Sequence, residues 1–354
     1  MIQSLQLWIV AGVASNLIAR LTVSYVWNHP MVYFIVIWPT FRVFRHIIFR
    51  RCKPNCQLPK GNTVLITGAT AGIGCEAAKI LTDQGGRVIW TGRNIQAASN
   101  ALSSTRLGHS NGSRVMSIDL GSLKSIKGFA QEFNQSEEKL NTLILNAGIY
   151  FNGKNACLTE DGFEATFGIS HLGHMYLTNL LLDKLTRSAT PDNPSRIVIV
   201  ASDLHIFAKT VFFDRLRTKI PDWDGWKAYG HAKLCNILFG RELCKQLNDR
   251  NILVHIVHPG TPVPTNIMRL SMLKTNTIVN AFMYLVAIHF QRTPKDAAET
   301  LIYAATSPDL KYETGQFYQN CGPGHLLTKA SKDDALAKQL WDVSCELLNI
   351  PKTW

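Results

Sequence analysis

From residue 62 onward, short apolar runs alternate with longer segments in which apolar residues recur at helical spacing. The runs lie at residues 64–66, 87–90, 114–118, 142–145, 197–200 and 252–257. Continuous apolar runs separated by helices are typical of parallel strands that are covered on both faces. The pattern therefore predicts an α/β fold with a doubly wound parallel sheet, in which ligands bind at the carboxyl ends of the strands.

The first fifty residues follow a different pattern. Between Leu7 and Phe41 the only full charge is Arg20, and arginines follow at positions 42, 45, 50 and 51. A bilayer core takes about 20 helical residues, and basic residues stay on the cytosolic side. A cleaved signal peptide is disfavoured because no basic residue precedes the apolar region. The sequence predicts a membrane anchor, as one span or as a re-entrant or interfacial segment, with the rest of the chain facing the cytosol from the endoplasmic reticulum or another organelle.

These patterns divide the chain into a hydrophobic membrane-associated segment with its basic collar at 1–52, a linker at 53–60 and a single α/β domain at 61–354. The formal charge of +12 is local, since seven basic residues precede Glu76, the first acidic residue. A nucleic-acid site would need basic residues spread over a folded face, so we expect no nucleic-acid partner. The eight cysteines lack metal-ligand spacing, so we expect thiols and no metal.

A glycine-rich motif directly follows the first predicted strand and opens a helix near Ile73. Its glycines are Gly68, Gly72 and Gly74. Glycine permits a tight turn and lets the backbone approach a pyrophosphate, whose charge lies against the amides at the helix N-terminus. An ordinary loop is the alternative, but the position between strand and helix favours a Rossmann-type dinucleotide site that includes Thr67.

The ends of the next strands carry further candidate cofactor contacts. Arg93 follows the second strand, and no acidic residue stands there to accept hydrogen bonds from both ribose hydroxyls. A guanidinium there suits a 2′-phosphate, which favours NADP(H) over NAD(H), although a solvated surface arginine is the alternative. Asp119 is a candidate to hydrogen-bond the adenine. The backbone of Asn146, Ala147 and Gly148 is a candidate to pass close to the adenosine ribose. Structural turn roles fit these last positions equally well.

Tyr229 and Lys233 lie four residues apart on a predicted helix. A phenol with a pKa of about 10 is a poor acid or base at neutral pH and needs a neighbouring positive charge. Lys233 lies one turn beyond Tyr229 on the same helix face, so we expect its ammonium to lower the pKa of Tyr229 and to hold the nicotinamide ribose. Ser202, after the fifth strand, is predicted to orient the substrate oxygen. Together these motifs predict a nicotinamide-dependent oxidoreductase.

Five features occur together in this sequence: residues 67–74, Asn146 to Gly148, Ser202, Tyr229 with Lys233, and His258-Pro259-Gly260 ahead of Thr265. Their combination resembles the short-chain dehydrogenase/reductase superfamily over about residues 60 to 330. Within it, residues 171–174 and 233–239 are similar to retinol dehydrogenases and WW-domain-containing oxidoreductases. A membrane-anchor-like segment stands where the latter carry WW domains.

This resemblance implies a seven-stranded sheet, the Ser-Tyr-Lys roles given above, Thr265 as a further cofactor contact and a homodimer as one assembly. It also implies a lipophilic substrate in lipid metabolism, such as a retinoid or steroid alcohol or carbonyl. Residues 278–286 are apolar, and the sequence is equally compatible with an apolar substrate entrance and with an ordinary packed helix there.

One position departs from the family pattern. The family usually has Asn before His-Leu-Gly-His, and this chain has Ser170. In the family the backbone carbonyl at this position binds a water of the proton relay, and the side chain supports a helix distortion. Ser170 is therefore included in the catalytic set through its backbone. Loss of the side-chain support leaves an alternative function, a low-activity or inactive nucleotide-binding regulatory protein. The nearby histidines 171, 174, 231 and 258 lack metal-ligand spacing and are expected to be structural.

Overall fold

A computed structural model of the chain describes residues 56–151, 157–218, 225–260, 292–325 and 327–354. The predicted membrane segment at 1–52, the candidate cofactor residue Thr265 and the hypothesised substrate entrance at 278–286 lie outside these residues. Within the ranges given, the structure contains no helix with the length and hydropathy needed to cross a membrane.

The centre of the domain is an eight-stranded sheet with the order β3-β2-β1-β4-β5-β6-β7-β8. Its strands are β1 Thr63–Ile66, β2 Arg87–Gly92, β3 Arg114–Ser117, β4 Thr142–Leu145, β5 Ser195–Val200, β6 Ile252–His258, β7 Gln316–Gln319 and β8 Gly322–Pro323. The first seven strands pair in parallel, and the two-residue β8 pairs antiparallel with β7. All six strands predicted from the apolar runs are present, and the Rossmann-like parallel sheet is confirmed. The short β8 is one strand more than the family resemblance implied.

Helices cover both faces of the sheet. The α-helices longer than one turn in the described ranges are α1 Gly72–Asp83, α2 Ile95–Ser103, α3 Leu123–Ser136, α4 Gly173–Ser188, α5 Gly225–Gln246, α6 Pro294–Thr306 and α7 Asp334–Leu348. The sequence Thr293-Pro294-Lys295-Asp296 predicts an N-cap, a proline at the first helical position and an early acidic residue. Helix α6 begins in this way, with Thr293 as N-cap and Pro294 in the first turn. The Thr293 hydroxyl accepts from the Asp296 backbone N–H, and the Asp296 carboxylate accepts from the Thr293 N–H.

Strand residues alternate between two hydrophobic cores because successive side chains of a strand point to opposite faces. In β5, Ile197 and Ile199 belong to the core under α3, α4, α5 and α7. Their neighbours Val198 and Val200 belong to the core under α1 and α6. This double coverage explains why the strands read as continuous apolar runs.

The strand order places a natural binding position beside β1. The chain adds strands to one side of β1 through β2 and β3, and to the other side through β4 and β5. The loops that leave β1 and β4 therefore diverge and open a crevice at their carboxyl ends.

The cysteines differ from the expectation at one position. Among the described residues, Cys56, Cys75, Cys157, Cys235, Cys244 and Cys345 are free thiols. Cys321 is disulfide-bonded, so the expectation that every cysteine is a thiol is wrong there.

Candidate active site

The glycine loop between β1 and α1 needs glycine for two reasons, its backbone conformation and its close packing. Gly68 and Gly72 have φ angles of +69° and +61°, which L side chains rarely adopt. A Cβ at Gly74 would lie 2.3 Å from Asn146 Nδ2 and 2.5 Å from the Gly68 carbonyl oxygen. The glycines thus allow the loop, α1 and the end of β4 to approach one another.

The buried side chain of Thr67 connects the start of the glycine loop to the end of β4. Its hydroxyl oxygen accepts hydrogen bonds from the backbone N–H groups of Asn146 and Ala147, at 2.9 and 3.0 Å, and lies 2.9 Å from His174 Nε2. Thr67 is fully buried and is not among the residues that line the cleft described below. Its place in the structure makes it a residue that positions the glycine loop, in contrast to the direct cofactor contact that the sequence suggested.

The His174 ring continues this hydrogen-bonded chain toward Ser170. Burial lowers the pKa of His174 to about 3, so the ring is neutral at physiological pH. His174 Nδ1 lies 3.1 Å from the Ser170 carbonyl oxygen, which only accepts, so Nδ1 carries the proton. Nε2 then accepts from the Thr67 hydroxyl. His174 is therefore structural in this chain, as expected.

A cleft of about 580 Å³ opens at the carboxyl ends of the strands. Twelve of the predicted site residues line it: Gly68, Gly72, Ile73, Gly74, Arg93, Asp119, Asn146, Ala147, Gly148, Ser202, Tyr229 and Lys233. The structure thus brings together residues that are up to 165 positions apart in sequence, from Gly68 to Lys233. A second cavity, of about 320 Å³, lies near residues 191–194 and 247–253, before β5 and β6, and contains no predicted site residue.

The glycine end of the cleft fits a dinucleotide. The N-cap residue of α1, Ala71, offers no side-chain hydrogen bond, and the first turn carries no acidic residue. The first-turn amides at Gly72, Ile73 and Gly74 line the cleft, where their partial positive charge favours a phosphate. Arg93 is exposed at the rim and forms no ion pair with any residue in the described ranges. These residues would hold the phosphates of a nicotinamide dinucleotide.

Asp119 and Asn146 line the cleft and also form hydrogen bonds within the protein. One oxygen of the Asp119 carboxylate accepts from the Gly121 N–H at 2.9 Å. The Asn146 side-chain amide donates to the carbonyl oxygens of Thr67 and Gly68, at 2.9 and 3.4 Å. The Asn146 side-chain amide therefore supports the glycine loop, and contact of its backbone with the adenosine ribose stays a prediction.

Ser202 is held in place as the N-cap of a short 3-10 helix, Asp203–Phe207. Its hydroxyl oxygen accepts from the Leu204 N–H at 3.3 Å and donates to Asp203 Oδ1 at 3.2 Å. His258, at the end of β6, accepts from the Asp203 N–H through Nδ1 at 3.3 Å. Burial lowers the pKa of His258 to about 4, so this ring too is neutral at physiological pH.

Tyr229 and Lys233 share one face of α5 but are not bonded to each other. Lys233 Nζ donates to the Val200 carbonyl oxygen at 2.8 Å and lies 5.4 Å from the centre of the Tyr229 ring. Burial and the charge of Asp203 raise the pKa of Tyr229 above its usual value. The predicted lowering of this pKa by Lys233 is therefore not found in this arrangement, in which the amine faces the ring and the end of β5.

Burial also acts on Lys233 itself. It lowers the pKa of the ammonium to about 8. The amine is therefore mostly charged at neutral pH and loses its charge as the pH rises through that value. Asn236, one turn further along α5, donates to the same Val200 carbonyl oxygen at 3.2 Å. Both side chains tie α5 to the end of β5.

Ser170 lies in a π-helical segment, Gly168–Leu172, that leads into α4. The helix distortion expected from the family is thus present with serine at this position. Ser170 is fully buried, and its hydroxyl has no hydrogen-bond partner in the described part of the chain. A Cβ placed on Gly148 would lie 3.7 Å from this hydroxyl and 3.5 Å from Lys233 Nζ. Ser170 therefore borders the site from behind Gly148 and does not line the cleft.

Several residues that line the cleft were not predicted from the sequence. Trp226 lies one turn before Tyr229 on α5, and Leu204 lies two residues after Ser202. Their spacing from the predicted catalytic residues would have found them. Among the residues that the structure describes, no group of three or more His, Cys, Asp and Glu side chains could hold a metal ion.

Comparison with known proteins identifies the family. The sequence profile of the short chain dehydrogenase family matches residues 62–212. Retinol dehydrogenase 14 of Mus musculus is 39% identical over 306 aligned residues, covering 83% of this chain and 88% of that protein. The WW domain-containing oxidoreductase of Homo sapiens is 34% identical over 295 residues, covering 81% of this chain and 68% of that protein.

A crystal structure of an uncharacterized protein from Mycobacterium paratuberculosis has a TM-score of 0.65 and 26% identity, covering 85% of this chain and 98% of that one. The chain therefore belongs to the short-chain dehydrogenase/reductase family. It is an NAD(P)-dependent oxidoreductase that acts on CH–OH donors, related to retinol dehydrogenases.

Proposed function

We propose that this protein is an NADP(H)-dependent oxidoreductase that interconverts a lipophilic alcohol and its carbonyl compound. The observation that carries the proposal is the meeting of Ser202, Tyr229 and Lys233 with the glycine loop in one cleft. When bound, the nicotinamide supplies a hydride to the carbonyl carbon or removes one from the alcohol carbon.

In the proposed reaction, each catalytic residue acts on the substrate oxygen or its proton. Tyr229 donates a proton to the carbonyl oxygen in reduction and accepts it from the alcohol in oxidation. Ser202 holds the substrate oxygen beside the phenol. Lys233 keeps a positive charge near the Tyr229 ring and would hold the nicotinamide ribose. Ser170 supports this arrangement by accepting the His174 hydrogen bond through its carbonyl oxygen.

The far end of the cleft supports a lipophilic substrate. Its walls beside Tyr229 include Ile149, Leu204 and Trp226. The Trp226 ring meets the Tyr150 ring edge to face, with their centres 5.3 Å apart. Apolar walls with few polar groups suit an apolar ligand that carries one reacting oxygen. With relatives named retinol dehydrogenases, we propose a retinoid, steroid or other lipid substrate.

We further propose that residues 1–52 attach the protein to a membrane of the endoplasmic reticulum or another organelle, with the domain at 61–354 facing the cytosol. The apolar run ahead of a basic collar supports this arrangement. Membrane attachment would keep the protein at a reservoir of lipophilic substrate. A homodimer is also part of the proposal, by analogy with the family.

A panel of retinoid, steroid and fatty aldehydes, with short aliphatic aldehydes as controls, tests the proposed function. The full chain in detergent or vesicles is assayed with NADPH and NADH by the loss of reduced-nicotinamide absorbance. We expect turnover of one or more lipophilic carbonyls with NADPH. Turnover of the short aldehydes alone would contradict the lipophilic assignment.

Arg93 carries the proposed preference for NADP(H). We expect Arg93→Gln to weaken NADPH binding by about tenfold to a hundredfold, because a phosphate–guanidinium bond is lost, and to change NADH binding by less than about threefold. Cofactor fluorescence titration measures both. Arg187→Gln removes the same charge from an exposed arginine on α4 that pairs with Asp183, and it should alter neither affinity. Equal losses for NADPH and NADH in Arg93→Gln would contradict the assignment.

Ser170 is the observation that favours the second candidate, a nucleotide-binding protein of low activity. The π-helical segment and the His174 bond are formed with serine in place. We therefore expect Ser170→Asn to change kcat by less than about threefold, a small effect compared with loss of a catalytic acid. Steady-state rates measure this, with Ser170→Ala as control because it removes a hydroxyl that has no partner within the described residues. A large gain in kcat with asparagine would favour the second candidate.

A further inference from the structure

Exposed hydrophobic side chains are concentrated in one short segment that the proposed mechanism does not use. Among the residues that the structure describes, five large hydrophobic side chains are exposed, and three of them lie between residues 206 and 212. Ile206 is 47% exposed, Phe207 59% and Phe212 39%. Single exposed apolar residues are ordinary on a protein surface, whereas a group of them marks an interaction site. We call these three side chains the apolar patch.

The backbone of the apolar patch is anchored to the domain. Ala208 and Val211, which lie between its members, are each 4% exposed and belong to the core under α5. The Phe212 N–H donates to His231 Nε2 on α5 at 3.2 Å, and the centres of the two rings lie 5.9 Å apart. The exposed side chains of the patch are therefore presented by a packed segment.

The apolar patch begins one turn away from a wall of the cleft. Leu204 lines the cleft and Phe207 belongs to the patch, and both lie in the 3-10 helix Asp203–Phe207. Residues i and i+3 of a 3-10 helix lie on the same face. A Cβ on Gly230 would lie 2.5 Å from the Leu204 carbonyl oxygen and 3.7 Å from the Phe207 Cβ. The helix thus packs closely on α5, next to Tyr229, and it connects the reacting end of the cleft to the patch.

Basic side chains accompany the apolar patch. Lys209 is exposed between its members. The Arg215 guanidinium lies over the Phe212 ring, 5.8 Å from its centre, and its ion pair with Asp214 is exposed and 3.7 Å long. Residues 206–218 carry three basic side chains and one acidic side chain, a net charge of +2. Apolar side chains beside basic ones are complementary to a lipid surface with anionic headgroups.

A lipid surface fits this patch better than a protein partner does. A stable protein interface buries about 800 Å² on each partner, which is far more than three partly exposed side chains supply. Apolar side chains that enter the headgroup region of a bilayer need no matching surface on the other side. The apolar run and basic collar at 1–52 also predict that the protein is located at a membrane.

We propose that the apolar patch is a membrane contact of the folded domain, separate from the N-terminal segment. Ile206, Phe207 and Phe212 enter the boundary between headgroups and acyl chains of an anionic leaflet, and Lys209 and Arg215 meet the lipid phosphates. A lipophilic substrate then passes between the bilayer and the cleft along the 3-10 helix. The contact with lipid goes beyond the proposed function, whereas the passage of substrate rests on it.

Photocrosslinking of the full chain in vesicles tests the contact without turnover. A benzophenone amino acid takes the place of Phe207 or, in the matched control, of Tyr312, which is 86% exposed and lies by the second cavity. The vesicles contain phosphatidylcholine and phosphatidylserine at about four to one. We expect position 207 to give at least about fivefold more lipid adduct than position 312, because only the patch enters the bilayer. Mass spectrometry of the irradiated protein measures the adducts.

The identity of the adduct decides between occupants of the patch. Adducts of position 207 with lipid acyl chains support the inference. Adducts with a second copy of the chain in place of lipid would overturn it, as would equal lipid labelling at the two positions. Equal labelling of position 207 in vesicles of phosphatidylcholine alone would overturn the part assigned to Lys209 and Arg215.

A kinetic test addresses the passage of substrate. The double variant Ile206→Ser with Phe207→Ser removes the apolar surface and leaves Leu204 and the reacting residues in place. We expect KM for a lipophilic aldehyde supplied in vesicles to rise by about fivefold to tenfold, because the variant loses apolar contact with the bilayer. The kcat value, and kcat/KM for the same aldehyde in detergent, should stay within about twofold of the parent. Tyr312→Ser should change none of these values.

The two tests separate the inference from the function. If position 207 crosslinks to lipid but the parent turns over no lipophilic carbonyl, the proposed function fails and the membrane contact stands. If the parent is active and position 207 gives no lipid adduct, the inference fails and the function stands. An unchanged KM in the double variant, or an equal loss of activity in vesicles and in detergent, would overturn the passage of substrate along the patch.

Discussion

Replacing Tyr229 by phenylalanine is expected to lower kcat/KM by about a hundredfold to ten-thousandfold in both directions of the reaction. The change removes the phenol that lines the cleft beside Ser202 and Lys233, and a positioned general acid or base contributes about 10² to 10⁴ in rate. The ring itself should stay in place, since it is buried and lies 6.4 Å from the Tyr150 ring. Steady-state kinetics with the best substrate of the panel measures the loss.

Cofactor binding distinguishes lost chemistry from lost structure in this variant. We expect the Kd for NADPH in Tyr229→Phe to stay within about threefold of the parent value, because the glycine loop and Arg93 supply most of the proposed phosphate contacts. Tyr312→Phe is the matched control, since this side chain is 86% exposed and lies by the other cavity. Parent-like turnover in Tyr229→Phe would show that another group moves the proton.

Gly74→Ala is expected to weaken NADPH binding by at least about a hundredfold, which corresponds to about 2.8 kcal/mol. An added Cβ would lie 2.3 Å from Asn146 Nδ2 and 2.5 Å from the Gly68 carbonyl oxygen. Either α1 moves away from β4 or the loop opens, and both displace the amides that are proposed to face the phosphates. Fluorescence titration of NADPH gives the affinity, and thermal unfolding gives the cost to the fold.

The control for this variant is another glycine-to-alanine change within a helix. A Cβ on Gly128 of α3 would meet no atom within 4 Å, and alanine is favoured over glycine in helices by about 1 kcal/mol. Gly128→Ala should therefore keep its NADPH affinity and gain slightly in stability. Parent-like NADPH affinity in Gly74→Ala would show that the tight packing at this glycine is not required for the site.

Local pattern was sufficient for much of the fold. The apolar runs predicted six strands, because residues that are buried on both faces of a parallel sheet must all be apolar. The start of α6 was also predicted, because Thr293, Pro294 and Asp296 satisfy the first backbone groups of the helix by themselves. The pattern did not predict β7 or β8, since β7 has only two apolar residues, Phe317 and Tyr318, and β8 is only two residues long.

The site was predictable where a residue type has one strong chemical reason to be at a position. Gly68 and Gly74 are needed for close backbone approach, and the Tyr229–Lys233 spacing follows from one helical turn. Thr67 was misplaced because its motif gives the position in the loop but not the direction of the side chain. That direction depends on Asn146, Ala147 and His174, which are 79, 80 and 107 residues away.

The sequence by itself determined the order of strands and helices, the glycine loop and the set of reactive side chains, because each depends on neighbours within a few residues. Only the tertiary structure decided which hydrogen bonds those side chains form. It placed Lys233 on the Val200 carbonyl, and it set Asp203 between Ser202 and His258. Hydrogen bonds, burial and charge at the site act between strands that are distant in sequence, so the ionisation of Tyr229 is a property of the folded cleft and not of its motif.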